Sequence, residues 1–162
     1  MPLEKPDQQH LQSARGYIEL GMFEEASAEL EEIDAFCRHL PEVLAARVII
    51  YRELKKWDLM VVVAQKLAEW NPNEPGYFID WAYATRRAES IHLAHAILTR
   101  GAELHPEHGL IQFNLACYEA QMGSIERAKM HLSRATKADK KFSLMAMDDP
   151  DLERLWASLA KD

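Results

Sequence analysis

The chain has 162 residues, 48% of them hydrophobic, and 26 acidic against 19 basic side chains for a formal net charge of -7. That length suits one domain with a continuous core, and the acidity argues against general affinity for nucleic acid or anionic membranes, which both need a basic face to displace counterions. The N-terminal MPLEKPDQQH lacks the apolar core of a secretory leader, no run reaches the roughly 20 apolar residues of a membrane span, and Cys37 and Cys117 stand far apart as free thiols do in a reducing compartment, so a cytoplasmic protein is expected.

In chain order, apolar residues at three- and four-residue spacings, as in Tyr17, Leu20, Phe23, Ala26 and Leu30, predict helices near 7–20 and 23–37. The same pattern predicts pairs near 41–54 and 57–70, 75–88 and 91–104, and 109–122 and 125–138. Pro41 and Pro75 suit the first helical turn, where a missing N–H costs nothing. Asn71-Pro72-Asn73 and His105-Pro106-Glu107-His108-Gly109 break the helices. No strand signal lies between them, and the chain is expected to be all-α. Asp148-Asp149-Pro150 then opens a short helix over about 149–160, with Leu152, Leu155, Trp156 and Leu159 on one face. It is expected to lie over the element before it as a cap; a tail that fills a groove is the alternative.

The pattern repeats. Ala26, Met60, Ala94 and Ala128 stand 34 residues apart, as do Phe23, Trp57, Ile91 and Ile125, then Ala14, Val48, Ala82 and Ala116, and the turn residues Gly21, Lys55, Glu89 and Gly123. Four copies of one two-helix unit follow, over about 7–40, 41–74, 75–108 and 109–142. Two copies depart from the pattern: Met60 replaces the small alanine at a close helix crossing, and Gly101 falls where Ile33, Leu67 and Ala135 place a larger side chain, so the local packing must adjust. In this register the chain resembles the tetratricopeptide repeat family. The resemblance implies a right-handed superhelical α-solenoid, a single domain over 1–162 with the tail as its cover, and a concave face lined by first helices on which peptides bind.

Catalytic signatures are missing from the sequence: there is no Walker loop, dinucleotide glycine pattern or nucleophile elbow. His92 with His95, and His105 with His108, lack a third ligand at a fixed spacing, so no metal is expected. Cys117 reads as a small packing residue, and no enzyme activity or cofactor is expected. Trp57, Trp70 and Trp81 read as core, and the acidic run Glu24, Glu25, Glu29, Glu31 and Glu32 as a solvated face.

Projected onto the face the resemblance implies, the first helices present Arg15, Ile49, Arg52, Ile79, Asp80 and Tyr83, then Arg86, Arg87, Phe113, Asn114 and Cys117. Tyr83, Ile49, Ile79 and Phe113 offer apolar anchors, and the arginines offer planar forks for carboxylates. Such a face selects a protein or peptide segment carrying acidic and bulky apolar residues. The family subtype that grips chaperone C-termini by a carboxylate clamp is not matched: Leu11, Ala46, Gly76 and Asp80 replace its polar and basic residues, and only Arg15 keeps a suitable charge. The leading expectation is therefore a non-catalytic interaction module or adaptor. The alternatives are a small chaperone resembling those of type III secretion, whose helical N-terminal arm has no counterpart in the six or so residues before the first repeat, and a self-associating accessory subunit forming a homo-oligomer.

Overall fold

The computed structural model describes residues 2–161. Eight helices alternate in pairs: α1 (Lys5–Glu19) with α2 (Phe23–Glu32), α3 (Pro41–Glu53) with α4 (Trp57–Trp70), α5 (Pro75–Ala88) with α6 (Ile91–Leu104), and α7 (Gly109–Gln121) with α8 (Ile125–Ala138). A tail follows: α9 (Lys141–Asp148), a 3-10 turn over Pro150–Leu152, and α10 (Glu153–Leu159). No strand occurs among the described residues, and none of their helices is long and apolar enough to cross a membrane.

Packing divides the chain into two compact units, Met1–Asn71 and Pro72–Asp162. In the first, Leu11, Ala14, Ala26, Leu30, Ile33, Val43 and Ile50 form the core. In the second, Ala82, Ala94, Leu98, Ile111, Leu115, Ala116 and Ala128 do so, joined from the tail by Phe142, Ala146, Leu152 and Leu155. The repeat register is visible in burial. Ala26, Met60, Ala94 and Ala128 are all fully buried, one equivalent slot in the second helix of each pair. Phe23, Trp57, Ile91 and Ile125 are each half-buried at the start of a second helix.

The turns inside the pairs show what ends each first helix. In α1 the Gly21 N–H donates to Ile18 O and the Met22 N–H to Tyr17 O, the double closure that requires a left-handed residue at the turn. Gly21 (φ 72) and Gly123 (φ 88) supply it without cost, whereas Lys55 (φ 55) adopts it with a side chain. Glu89, the remaining turn residue, stays at φ -129. We therefore expect Lys55→Gly to stabilise the protein by roughly 0.5–1 kcal/mol, and Glu89→Gly to destabilise it. Thermal melts of the two variants check the contrast.

Three differences from the sequence expectation have local causes. α2 stops at Glu32, five residues before 37, because Ile33 turns extended and the Asp34 N–H is taken by Asp7 Oδ1 at 3.0 Å. The tail contains an additional helix, α9, ahead of the one expected near 149–160. Trp70 is not core: it is 50% exposed, edge-on to His39, with Lys66 Nζ 4.5 Å above its ring.

Candidate functional site

In the first unit, α1 and α3 hold Arg15, Ile49 and Arg52. Arg15 is exposed and Ile49 is 40% exposed, and with Ile18, Glu19, Glu42, Ala45 and Ala46 they line a cleft of ≈ 350 Å³. Arg52 is half-buried in the last turn of α3. Leu11, which shares the projected stripe, is buried in the core. The cleft is thus an apolar strip with one guanidinium, flanked by two carboxylates.

In the second unit, α5 and α7 carry the rest, and the tail lies on them. Arg86 grips Asp151 with both arms of its fork, Nη1 to Oδ2 at 2.6 Å and Nη2 to Oδ1 at 3.1 Å. Its guanidinium also sits 5.2 Å from the centre of the Tyr118 ring. Gln121 Nε2 donates to Asp151 O at 3.0 Å, and Arg154 Nη1 donates to Gln121 O at 3.2 Å. Cys117, 4% exposed, points its thiol at Asp149 Oδ2, 3.8 Å away. Phe113, 3% exposed, stacks on Phe142 at 5.4 Å between centroids. Gly109 makes that stack fit: a Cβ there would lie 2.5 Å from the Phe142 ring.

Phe113, Cys117 and Arg86, expected on the peptide-binding face, are therefore covered by the chain's own tail. The tail passes over α7 and reaches back to the last turn of α5. Leu155, 1% exposed, seats α10 in the core of this unit, and the Asp149–Leu152 segment lies on α5 and α7. Ile79, Asp80, Tyr83 and Asn114 are half-buried, while Arg87 is exposed and folds onto its own helix, its guanidinium 3.4 Å from the centre of the Tyr83 ring and its Nη1 donating to Tyr83 O.

Electrostatics agree with a closed arrangement. Burial, and then the Asp149 and Asp151 carboxylates, hold the Cys117 thiol well above its ordinary range. The thiol is thus protonated at neutral pH, when it is a poor nucleophile and a poor metal ligand. Burial likewise pushes the Tyr118 phenol up to about 12, and the hydrogen bonds that Arg86 donates to Asp151 raise Arg86 further. Cys117, Asp149 and Asp151 place ligand-type atoms within 4.8 Å of one another, but the guanidinium already neutralises Asp151. Three of the four histidines raised by the sequence have other partners: His105 Nε2 lies 2.8 Å from Pro72 O, His108 Nδ1 accepts the Ile111 N–H, and His95 Nε2 lies 2.7 Å from Glu119 Oε1; His92 is exposed.

One polar cluster was not foreseen. Glu119, 2% exposed, and Gln112, 1% exposed, form the floor of a cavity of ≈ 360 Å³ beside His95 and His131, with Arg127 and Arg134 among its walls. Gln112 Nε2 donates to Pro106 O at 3.0 Å, so its Oε1 must accept from His131 Nδ1 at 2.7 Å. His131 is thereby fixed with its proton on Nδ1. Burial, aided by Arg134, His95 and Arg127 against an opposing Glu119, lowers its affinity for a second proton. His108 is lowered too, by burial and His105. The unfolded chain then takes up these protons first as pH falls below about 6.5. We expect stability to be intact above that pH and to be lost as pH drops through the depressed folded-state values. His131→Asn, which keeps a donor facing Gln112, flattens the slope of melting temperature against pH between about 7.5 and 5.5, one unit each side of free histidine.

Paired helices on a 34-residue register, with ligand-type residues on first helices, define an all-α repeat solenoid. No family model matches the chain, and no curated protein does. Solved structures do match. MamA of strain MSR-1 is similar over 83% of this chain and 78% of its own, with TM-score 0.72 and 24% identity. TTC0263, a thermophilic tetratricopeptide-repeat protein of Thermus thermophilus, is similar over 96% and 89%, with TM-score 0.68 and 16% identity. YrrB, described as a tetratricopeptide-repeat protein with an unusual peptide-binding site, is similar over 88% and 75%, with TM-score 0.72 and 17% identity. The fold is that of the tetratricopeptide repeat.

Proposed function

We propose that the chain is a non-catalytic interaction module that holds an acidic, apolar-anchored peptide segment of a partner protein on the first-helix face of its N-terminal unit. The observation that carries this is the second unit's own tail. Asp149, Pro150, Asp151 and Leu152 sit on α5 and α7, a carboxylate in the fork of Arg86 and a leucine buried beside it. That is the chemistry expected to suit such a face, and it is supplied from within. The first unit presents the same residue types, Arg15 with Ile49, in a cleft with no segment of its own unit upon it. The unbroken repeat register supports treating the four copies as one module, and the peptide-binding site of YrrB is an instance of the same fold in such use. Two buried free thiols fit a cytoplasmic setting.

The test uses a synthetic peptide of residues 147–160 offered to the full chain, followed by fluorescence anisotropy. Saturable binding that Arg15→Glu with Ile49→Asp abolishes, and that a peptide with both Asp149 and Asp151 replaced by Asn does not show, is the expected result. Equal binding by the variant, or none by the wild type, moves the site off this face.

A further inference from the structure

The charges of the chain are unevenly placed. Residues 127–141 hold Arg127, Lys129, Arg134, Lys137, Lys140 and Lys141 against one acid, Asp139, in a chain of net charge -7. In the second unit Lys129, Lys137 and Lys140 rim a cleft of ≈ 420 Å³ formed by α8 and α10, with Leu132, Trp156 and Leu159 beneath them. Leu159 is 46% exposed there. Lys129 pairs with Glu126, but Lys137 and Lys140 face no carboxylate partner among the described residues. A basic rim over an apolar floor suits an acidic helix face flanked by exposed apolar side chains.

The first unit carries such a helix. α2 reads Phe-Glu-Glu-Ala-Ser-Ala-Glu-Leu-Glu-Glu, with Ala26 and Leu30 inward and Glu24, Glu25, Ala28 and Glu32 along the exposed stripe. Glu24, Glu25 and Glu32 have no cationic partner among the described residues. Glu32 stands in the last turn, where the helix dipole disfavours an anion, and Arg38 answers that end by donating to the Glu31 and Ile33 carbonyls rather than to Glu32 itself. An incoming lysine would give Glu32 a cation of its own. Exposed apolar side chains bracket the stripe, Leu20 at 73% and Phe36 at 79%, matching the apolar floor of the cleft.

We propose that a second copy of this chain is the occupant: the acidic α2 stripe of one copy docks in the basic α8/α10 cleft of the next. Like charge opposes pairing either end with itself, so a two-fold dimer through one of these faces is disfavoured, and the contact is head-to-tail. A ten-residue helix spans about 15 Å, which places the buried area at the low end for specific interfaces, below about 1,200 Å². The association is accordingly weak and salt-sensitive. It is independent of the peptide-binding reading, since neither Arg15 nor Ile49 takes part.

Sedimentation velocity of the full chain tests it. In about 0.05 M salt the mass should rise with concentration above the 18.6 kDa monomer, and in about 0.5 M salt it should return to it. Lys137→Glu with Lys140→Glu, and separately Glu24→Lys with Glu25→Lys, should each be monomeric with unchanged circular dichroism. An equimolar mixture of the two variants should associate again, because each then meets its charge complement. A monomer under every condition, association that survives in either variant alone, or a mixture that stays monomeric overturns the proposal. So does a wild-type protein that stays monomeric while anionic vesicles or an unrelated acidic helix bind the cleft.

Discussion

Phe78→Ala lowers stability by about 3–5 kcal/mol, the range for truncating a fully buried phenylalanine, and in that background enlarging Gly101 costs less than it does in the wild type. Phe78 is completely buried. Its ring fills the space that Gly101 leaves on the facing helix α6, where Ile33, Leu67 and Ala135 carry side chains in the other copies. A Cβ added at Gly101 would lie 2.9 Å from Phe78 Cβ and 3.1 Å from Cγ. Gly101→Leu alone therefore overpacks, at about 1–3 kcal/mol, partly offset by its better helix propensity. In the double variant the leucine introduced on α6 no longer meets the Phe78 ring, although the Cβ of residue 78 stays 2.9 Å from its own Cβ and the two helices must still give there. The two changes should couple by about 1–2 kcal/mol in the restoring direction. At roughly 2–4 °C per kcal/mol for a chain of this size, melting curves of the four species resolve the cycle. Strict additivity would show that the two residues do not share one slot.

That pair marks where sequence reading ends. The gap at Gly101 was visible from the register alone, but not the residue that fills it, because Phe78 belongs to a column whose other members are His10, Leu44 and Gln112. Periodicity placed α3 to α8 closely, since each has its own apolar stripe and a proline or tight turn at an end. It overran α2, because what stops that helix is Asp7, 27 residues away. It missed α9, which presents Leu144 and Met147 to solvent at 69% each and is anchored inward only by Phe142 and Ala146. The Trp70 misreading has a similar origin: sharing a column with Leu104 suggested burial, yet Leu104 is itself 51% exposed.

The candidate site was half legible. The arginines and anchors of the first-helix face follow from the register, and so does the ligand chemistry they suit. The sequence also contained a segment of that chemistry, in Asp149-Pro150-Asp151-Leu152, but a contact 65 residues away along the chain leaves no local trace. The signal that would have found it is the tail's own composition, compared with what the face should bind. Gln112, Glu119 and His131 escaped for a different reason: polar residues on three- and four-residue spacings read as solvated, and only the packed structure shows Glu119 and Gln112 enclosed.

The second large effect follows from the tail. Arg86→Glu should detach the Asp149–Leu152 segment from α5 and α7, because it replaces a two-armed ion pair with a carboxylate facing Asp151 and its neighbour Asp149. The pair is sheltered, with side chains 27% and 28% exposed, so solvent screens it less than a surface bridge and charged hydrogen bonds of this kind contribute about 1.5–3 kcal/mol. Asp151→Arg alone should act similarly, leaving two guanidiniums opposed. Together, Arg86→Glu with Asp151→Arg restores the attraction and should recover a substantial part of the loss, the swapped side chains being of unequal reach. Hydrogen exchange at the amides of 149 and 151–159 reads the outcome, accelerating in both single variants and slowing again in the double. Leu152 and Leu155 remain apolar anchors in every variant, so the expected change is a loosened tail on an otherwise folded unit. Unchanged exchange in Arg86→Glu would mean that burial of the two leucines alone holds the segment, and that the guanidinium does not select for acidic chemistry on this face.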